Sequence, residues 1–350
     1  MIDVSIILVN YNGLTLTRDC IGSIVASEGM PGSAISTEGS LLPGSSRLEN
    51  SGEASGADPA YGCSGPQDMD VNPAPSGLSY EIIVVDNGSV DGSVEALAQD
   101  SRITFIPMDR NAGFGVANNE GLKVASGRNV LFLNNDTIVR AGAVGKLSAF
   151  LDSHPRAGAA GGNLLAPATE SVGECGPGRT PALTEAVSMS LSFPSVLEEI
   201  RGLFDVRPVS FNRSGREMEV AVISGADIMV RKSVLDAVGG FNPEFFMYYE
   251  DVELCWRIRK AGYSIWSLPS AEIIHIGGAS SKPAEDDPYN IRRLRRKFDS
   301  RRKFYLICRN RFHLLLSNLV WRLKVDSRIL VHLFNPEPLG KWLFYRRNLK

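Results

Sequence analysis

The 350-residue chain is predicted to be an α/β protein with a mostly parallel central sheet covered by helices on both faces. Three observations predict it. Continuous apolar runs of strand length alternate with segments of helical period. The runs are apolar throughout, as strands buried on both faces must be. Polar residues rich in oxygen ligands collect where the runs end, and open α/β sheets bind ligands beyond the carboxyl ends of their strands.

The elements follow in order. "VSIILVN" (4–10) is a buried strand, and "LTLTRDCIGSIVAS" (14–27) has helical spacing at Leu16, Cys20, Ile21, Ile24 and Val25. "EIIVVD" (81–86) is the second strand. A helix after "GSVDGS", a strand at "ITFIP" (103–107), a helix within 114–126, a strand at 130–134 and a helix over about 142–153 complete the first half. The strand 130–134 runs into Asn134-Asn135-Asp136, residues that disfavour strands and carry hard oxygen donors. "EVAVISGADIMVRKSVLDAVGGF" (219–241) predicts two short strands, then a helix capped by Ser233 and closed by Gly239-Gly240. "YYEDVELCWRIRKAGY" predicts a helix with Glu250, Asp251 and Glu253 in its first turn, basic residues in its last and Gly262 as its stop. Two strands, "YSIWSLP" and "AEIIHIG", follow.

One segment breaks the alternation. Residues 29–79 hold 9 Gly, 6 Pro and 10 Ser with no sustained period, so burial cannot offset the entropy of ordering them. A disordered insertion is expected there, where a connection normally takes about 2–6 residues. A functional lid is the alternative. Residues 292–350 hold 17 Lys/Arg against 3 Asp/Glu among apolar stretches such as "FYLIC" and "FHLLLSNLVW". They predict a basic amphipathic helical extension, either lying on anionic lipid or packed on the core with its basic face in water.

With 43% hydrophobic residues the chain can bury a large core, and its net charge of −2 gives no overall bias toward nucleic acid. Cys20, Cys63, Cys175, Cys255 and Cys308 form no C-x-x-C pair, which argues against a zinc site or a disulfide framework. A reducing cytoplasm is expected, with neither export nor a membrane-spanning helix.

Six blocks in order, "VSIILVNYNG", "EIIVVDNGSVDGS", "NAGFGVANNEGL", "VLFLNNDTIV", "GADIMVRKSVLDAVGGFNPEFFMYYEDVELCWRIRKAGY" and "IIHIGGAS", resemble inverting family 2 glycosyltransferases, especially rhamnosyltransferase-like members. The resemblance implies the nucleotide-diphospho-sugar transferase fold called GT-A over residues 1–281. Its nucleotide-binding half is about 1–140, its acceptor half about 141–281, and the basic extension is 282–350. It also implies a nucleotide-diphosphate sugar as donor and a glycan or lipid-linked glycan as acceptor. The charge balance implies no nucleic acid, and the basic extension, where it lies on lipid, implies a cytoplasmic protein in peripheral contact with the inner face of the cell membrane.

Each block has a chemical reading beside a structural one. Asp86 can accept the imide N–H of uracil or thymine, which points to UDP or dTDP, or it caps a turn with Asn87-Gly88. Asn10 and Asn12 line the same crevice or make the turn before Gly13. Gly113 permits close approach of backbone to a diphosphate, and Asn111 is a donor contact or an N-cap. The family's D-x-D reads Asn134-Asn135-Asp136 here, so Asp136 is the one carboxylate left to hold Mg²⁺ or Mn²⁺, with Asn134 and Asn135 beside the donor. Magnesium commonly keeps several waters and takes only one or two protein carboxylates. His275 is the expected second ligand, or a structural histidine. Asp251 is the expected catalytic base with Glu250 in support, although acids in a first helical turn also stabilise the helix dipole without further purpose. Phe245, Phe246, Tyr248, Tyr249 and Trp256 are sugar-stacking faces or core. The competing classes are a catalytically silent sugar-nucleotide-binding module, which needs no acid pair, and a sugar-phosphate nucleotidyltransferase, which needs a lysine-bearing glycine loop absent after the first strand.

Overall fold

A computed structural model describes residues 1–30, 77–168, 182–204, 208–277, 291–333 and 336–348. The insertion predicted at 29–79 falls, but for its ends, outside the described residues, as do Cys63 and Cys175. The first half comprises β1 (Val4–Asn10), α1 (Leu14–Glu28), β2 (Tyr80–Asp86), α2 (Ser93–Leu97), β3 (Ile103–Pro107), α3 (Phe114–Leu122), β4 (Asn129–Asn134), β5 (Thr137–Val139) and α4 (Ala143–Ser153). The second comprises β6 (Ala157–Pro167), β7 (Leu183–Glu185), β8 (Met189–Ser190), α5 (Val196–Leu203), β9 (Met218–Val220), β10 (Val222–Ile223), β11 (Asp227–Arg231), α6 (Lys232–Val238), α7 (Glu250–Lys260) and β12 (Ser264–His275). Three helices end the chain: α8 (Ile291–Cys308), α9 (Arg311–Val331) and α10 (Pro336–Asn348).

The mostly parallel central sheet runs β3-β2-β1-β4-β11-β6-β12-β5, with β7 beside β6 and β9 beside β12. β3, β2, β1 and β4 are parallel, and β11 enters antiparallel between β4 and β6. β1 shows why both faces are covered. Val4, Ile6 and Leu8 face the cluster that holds Cys20, Ile21 and Ile24 of α1 and, farther along the same face, Val144, Leu147 and Leu151 of α4. Ile7 and Val9 face the cluster that holds Ala117 of α3 and, farther along, Leu254, Cys255 and Ile258 of α7. The two-residue period of a strand delivers alternate side chains to opposite helical layers. Each fully buried aliphatic side chain contributes about 1.5–3 kcal/mol to that packing. The chain order reverses between β1 and β4, so a crevice opens at the carboxyl ends of β1, β2 and β4.

Three local expectations are revised. β12 is one twelve-residue strand where two were expected, and its register against β6 shifts between Leu268 and Glu272. Pro269 sits in that bulge, where no ladder N–H is required. Gly162 opposite leaves room for the Ala271 carbonyl, which a Cβ would meet at 2.3 Å. The stretch from 218 to 231 forms three short strands instead of two. Ser233 is not a cap: α6 begins at Lys232 directly from β11, and the Lys232 N–H donates to the Arg128 carbonyl at 2.9 Å, so the helix start is satisfied by a neighbouring strand.

The basic extension packs on the second half. Phe304 and Tyr305 of α8 are buried with Phe245. Arg301 donates through Nε to Glu199 of α5 at 2.9 Å, and the same carboxylate oxygen accepts from Ser317 of α9 at 3.1 Å. One buried ion pair therefore fixes α5, α8 and α9 together.

The ends of the inserted segment are close in space, because the Tyr80 hydroxyl donates to the Gly29 carbonyl and the Asp3 N–H donates to the Ser79 carbonyl at 2.7 Å. Replacing residues 31–76 with a Gly-Ser linker of about six residues is expected to move Tm by less than about 4 °C. A larger fall in a thermal melt would show that the segment contributes packing to the core.

Candidate functional site

The carboxyl ends of β1 and β2 are joined by an amide-rich network. Asn10 donates through Nδ2 to Asp86 Oδ2 at 2.7 Å, and its Oδ1 accepts from Thr17 of α1 at 2.8 Å. The other Asp86 oxygen accepts from the Ser89 N–H at 2.8 Å, and Asp86 is 0% exposed. Its turn-capping role is thus realised, and a base would meet only its remaining lone pairs. Asn12, held at a left-handed φ of 51°, accepts from the Val90 N–H and donates its own N–H to Ser89 Oγ, each at 2.8 Å. The β1 and β2 turns are thereby one unit.

The next turn is attached by Asn87, a residue the sequence reading treated only as part of a turn. Its Oδ1 accepts from the Ala112 N–H at 2.9 Å and its Nδ2 donates to Asn111 Oδ1 at 3.1 Å. Asn111 does not cap α3; the cap position is Gly113, whose N–H donates to Asn111 Oδ1 at 3.0 Å. Gly113 has a φ of +92°, and a Cβ there would lie 2.4 Å from the Phe246 carbonyl. Glycine is therefore required both for its backbone conformation and for the approach of the aromatic loop.

At the end of β4 the three residues diverge. Asn135 turns inward, donating to Thr17 at 2.9 Å and toward Asn10 Oδ1 at 3.3 Å, and so braces the first turn. Asn134 Nδ2 lies 3.3 Å from His275 Nε2, and His275 Nε2 lies 3.1 Å from Asp136 Oδ1. Pairing of β5 with β12 delivers this meeting across 139 residues of sequence, with Thr137 opposite His275 and the Ile276 N–H donating to the Asp136 carbonyl at 2.9 Å. Asp136 is 7% exposed and His275 is half-buried. Among the described residues no three His, Cys, Asp or Glu side chains cluster as a metal cage. One carboxylate, one imidazole and a neutral amide oxygen suit a hard divalent ion that takes its other ligands from phosphate and water.

The acid pair opens α7. Tyr248 and Tyr249 precede it at left-handed φ values of 69° and 66°, an uncommon conformation for bulky residues that the surrounding packing maintains. Asp251 Oδ2 accepts from the Gly225 N–H at 3.0 Å and Oδ1 from the Val252 N–H at 2.8 Å. Glu250 is 7% exposed, and its Oε2 is buried without a partner. Burial first, and the Asp251 charge second, raise the pKa of Glu250, while burial raises that of Asp251 against its two backbone hydrogen bonds. Both shifts run upward, and the Gly225 and Val252 N–H donors oppose the shift at Asp251, which favours charge on Asp251 over Glu250. Of the aromatic residues, Phe245 is core and Trp256 packs against Phe193 and Phe304, whereas Phe246 remains partly exposed.

A single turn brings the groups together. Gly225 holds Asp251, and the next residue, Ala226, accepts the Asn134 N–H at 3.0 Å through its carbonyl. Phe114, at the start of α3, lies 3.6 Å from the Cβ position of Gly225. The β4 end, the acid pair and the glycine loop therefore converge on one turn. Sequence reasoning missed Thr17, Asn87 and Gly225, each of which acts through a partner remote in sequence.

Comparison with known proteins is consistent with this geometry. The family described as "Glycosyl transferase family 2" matches residues 72–170. The chain is 31% identical over 212 residues to the N-acetylglucosaminyl-diphospho-decaprenol L-rhamnosyltransferase of Mycobacterium tuberculosis, covering 55% of this chain and 66% of that protein. It is 26% identical over 240 residues to the dTDP-rhamnosyl transferase RfbF of Shigella flexneri, covering 67% and 73%. In three dimensions it is similar to GalNAc-T7 solved with UDP, GalNAc and Mn²⁺, with a TM-score of 0.54 at 12% identity. That likeness is one of fold, over 87% of this chain and 50% of that one. With its sheet, its crevice and these relatives taken together, the chain carries a glycosyltransferase family 2 domain, is similar to rhamnosyltransferases of that family and has the GT-A fold.

Proposed function

We propose that this protein is an inverting glycosyltransferase that moves a sugar, rhamnose by resemblance, from a UDP- or dTDP-sugar to a hydroxyl of a glycan or lipid-linked glycan in cell-surface polysaccharide synthesis. The observation that carries the reading is the Gly225-Ala226 turn, which sets Asp251 beside the β4 end with Asn134 and Asp136, where His275 of β12 also lies. The names of the relatives, a dTDP-rhamnosyl transferase and a rhamnosyltransferase acting on a diphospho-decaprenol, support the donor and acceptor classes.

In this mechanism the nucleotide lies over the β1 and β2 turns, with Asp86, Asn10 and Asn12 as its base-side contacts and Asn111 and Gly113 facing the diphosphate. Asp136 and His275 would hold Mg²⁺ or Mn²⁺, and such an ion would supply charge neutralisation for the leaving diphosphate. Asp251 takes the proton of the acceptor hydroxyl as its oxygen attacks the anomeric carbon and the bond to the diphosphate breaks. A single in-line displacement leaves the anomeric configuration inverted. Burial favours the neutral form of Glu250, which in that form adds no second negative charge against the diphosphate.

α9 supports membrane contact. Phe312, Leu315, Leu319, Leu323 and Leu330 are each more than half exposed and fall on one stripe of the helix, flanked by Arg311 and Arg322. Among the described residues no helix is long and apolar enough to cross a membrane. We propose that the stripe lies in the surface of an anionic bilayer.

Asp251→Asn is expected to lower kcat by about 10²-fold or more while dTDP and UDP affinity stays near wild type, because the base acts only on the acceptor. Near-wild-type turnover, or a product of retained configuration, would remove Asp251 from the mechanism.

Glu250→Gln separates the two acids. A carboxyl pKa raised by folding means that the native state binds more protons than the unfolded one. Stability from this group is therefore full below its unfolded pKa of about 4.3 and declines as pH rises from there toward the folded value. The glutamine variant is expected to melt at or above the wild-type Tm at pH 8, with the difference shrinking toward pH 4. A variant less stable at pH 8 than at pH 4, relative to wild type, would mean that Glu250 is ionised in the fold.

Asp136→Ala should abolish most Mg²⁺- or Mn²⁺-dependent donor binding, and His275→Ala should weaken it less, read by isothermal titration with and without EDTA. Full activity in EDTA would refute the metal site. Sedimentation with vesicles of mixed phosphatidylglycerol and phosphatidylcholine should pull down the wild type, less so as salt rises, and leave a Leu315→Ser, Leu319→Ser, Leu323→Ser variant in solution. Equal recovery of both proteins from the supernatant would leave the stripe without a lipid role.

A further inference from the structure

α8 changes character along its inward face. Residues at helical spacing on that face run Arg293, Lys297, Ser300, Phe304. The later two are buried against the second half: Phe304 packs with Phe245, and the Ser300 hydroxyl donates to the Met247 carbonyl at 2.8 Å. The earlier two are cations on the same stripe, at positions where continued packing calls for apolar side chains. They overhang the loop that leads into the acid pair. The Arg293 guanidinium sits 5.9 Å from the Tyr248 ring centroid, and Arg296, one turn along, sits 5.1 Å from that of Phe246. Stacking on a ring leaves the guanidinium N–H edge available for an oxyanion. None of Arg293, Arg296 and Lys297 makes an ion pair with a carboxylate among the described residues, and all three are solvent-accessible. Like charges three and four residues apart repel along a helix, and Asp299, which lines the same pocket as Arg296, forms no ion pair with the three cations among the described residues. Arg293 also depresses the pKa of Lys297, after desolvation, and the charge of Asp251 acts on Lys297 in the opposite sense, which locates the ammonium in the field of the proposed base.

We infer that Arg293, Arg296 and Lys297 of α8 form an anion site on the acceptor side of the crevice that takes the diphosphate of a lipid-linked acceptor. The site is separate from the donor diphosphate position at Asp136 and His275. The inference rests on the transferase reading for its role, though not for its chemistry. A diphosphate offers several oxygens to two planar guanidinium forks and one ammonium, and charge-assisted hydrogen bonds of this kind are the strong ones. Anchoring the phosphates on α8 presents the attached sugar to Asp251, which lies across the Phe246–Tyr249 loop on which the same arginines are seated. The apolar stripe on α9, the next helix, provides a surface on which the lipid portion can remain in the bilayer.

The test uses the full chain in EDTA, so that no metal assists the donor position, with farnesyl diphosphate, farnesol and inorganic diphosphate as probes in isothermal titration. Farnesyl diphosphate is expected to bind, with farnesol and inorganic diphosphate each weaker by about tenfold or more. Arg293→Gln with Lys297→Gln should lose about tenfold or more of farnesyl diphosphate affinity, with Tm and Mg²⁺-dependent dTDP binding unchanged. Asp136→Ala should bind farnesyl diphosphate as wild type does. Equal binding by the double variant overturns the site, and so does equal binding of farnesol, which would mark simple apolar capture. Equal binding of inorganic diphosphate overturns the lipid-linked assignment, and loss of binding in Asp136→Ala would place the ligand in the donor position. Absence of any dTDP or UDP binding in the wild type would count against the transferase reading alone, because the farnesyl diphosphate result is read without donor.

Discussion

The candidate site depends on two hydrogen bonds made by consecutive residues. The Gly225 N–H reaches the Asp251 carboxylate and the Ala226 carbonyl receives the Asn134 N–H, so one short turn ties the start of α7 to the end of β4. Space is as limiting as bonding there, because a Cβ on Gly225 would come within 3.2 Å of the Asp251 Cβ. β11 leaves this turn antiparallel between β4 and β6, and thereby carries the parallel sheet of the first half into the second. The connection that makes the two halves continuous is the connection that positions the acid pair.

Hydrogen bonding then differentiates two adjacent carboxyl groups that burial shifts in the same direction. Asp251 has two backbone N–H donors to stabilise its charge, whereas Glu250 has a buried oxygen with no partner and little to compensate for leaving water. The same residue types in an exposed first turn would both ionise and serve only the helix dipole. The left-handed Tyr248 and Tyr249 and the helix α8 enclose this region, and without them the pair would be solvated and equivalent.

The nucleotide side is built in the opposite way, from neutral amides. Asn10, Asn12, Asn87, Asn111 and Asn135 each link turns that arise from different strands. An amide both donates and accepts, so a chain of them satisfies buried backbone groups without accumulating negative charge where a diphosphate is proposed to lie. Asp86 and Asp136 bring carboxylates to this side of the crevice, and Asp86 is consumed in large part by its own turn.

What the sequence determined by itself was the local order: apolar runs of strand length, helical periods between them, and oxygen-rich residues where the runs stop. These depend on near neighbours, so β1 to α4 were legible except for the short β5, as were the positions of Asp136 past a strand end and of the acid pair in a first helical turn. Tertiary structure decided what required partners far along the chain. Ser233 lost its capping role to the Arg128 carbonyl, β12 stayed one strand because Gly162 admits the Ala271 carbonyl, and His275 met Asp136 only through the pairing of β12 with β5. The contrast between the two acids was set there as well, since the Gly225 N–H reaches Asp251 while a Glu250 oxygen is left without a partner. The basic extension shows the division most plainly. Its composition announced an amphipathic helix, but which cations face the acid pair and which apolar residues face outward follows from how α8 and α9 dock, and docking is a property of surfaces that no single segment contains.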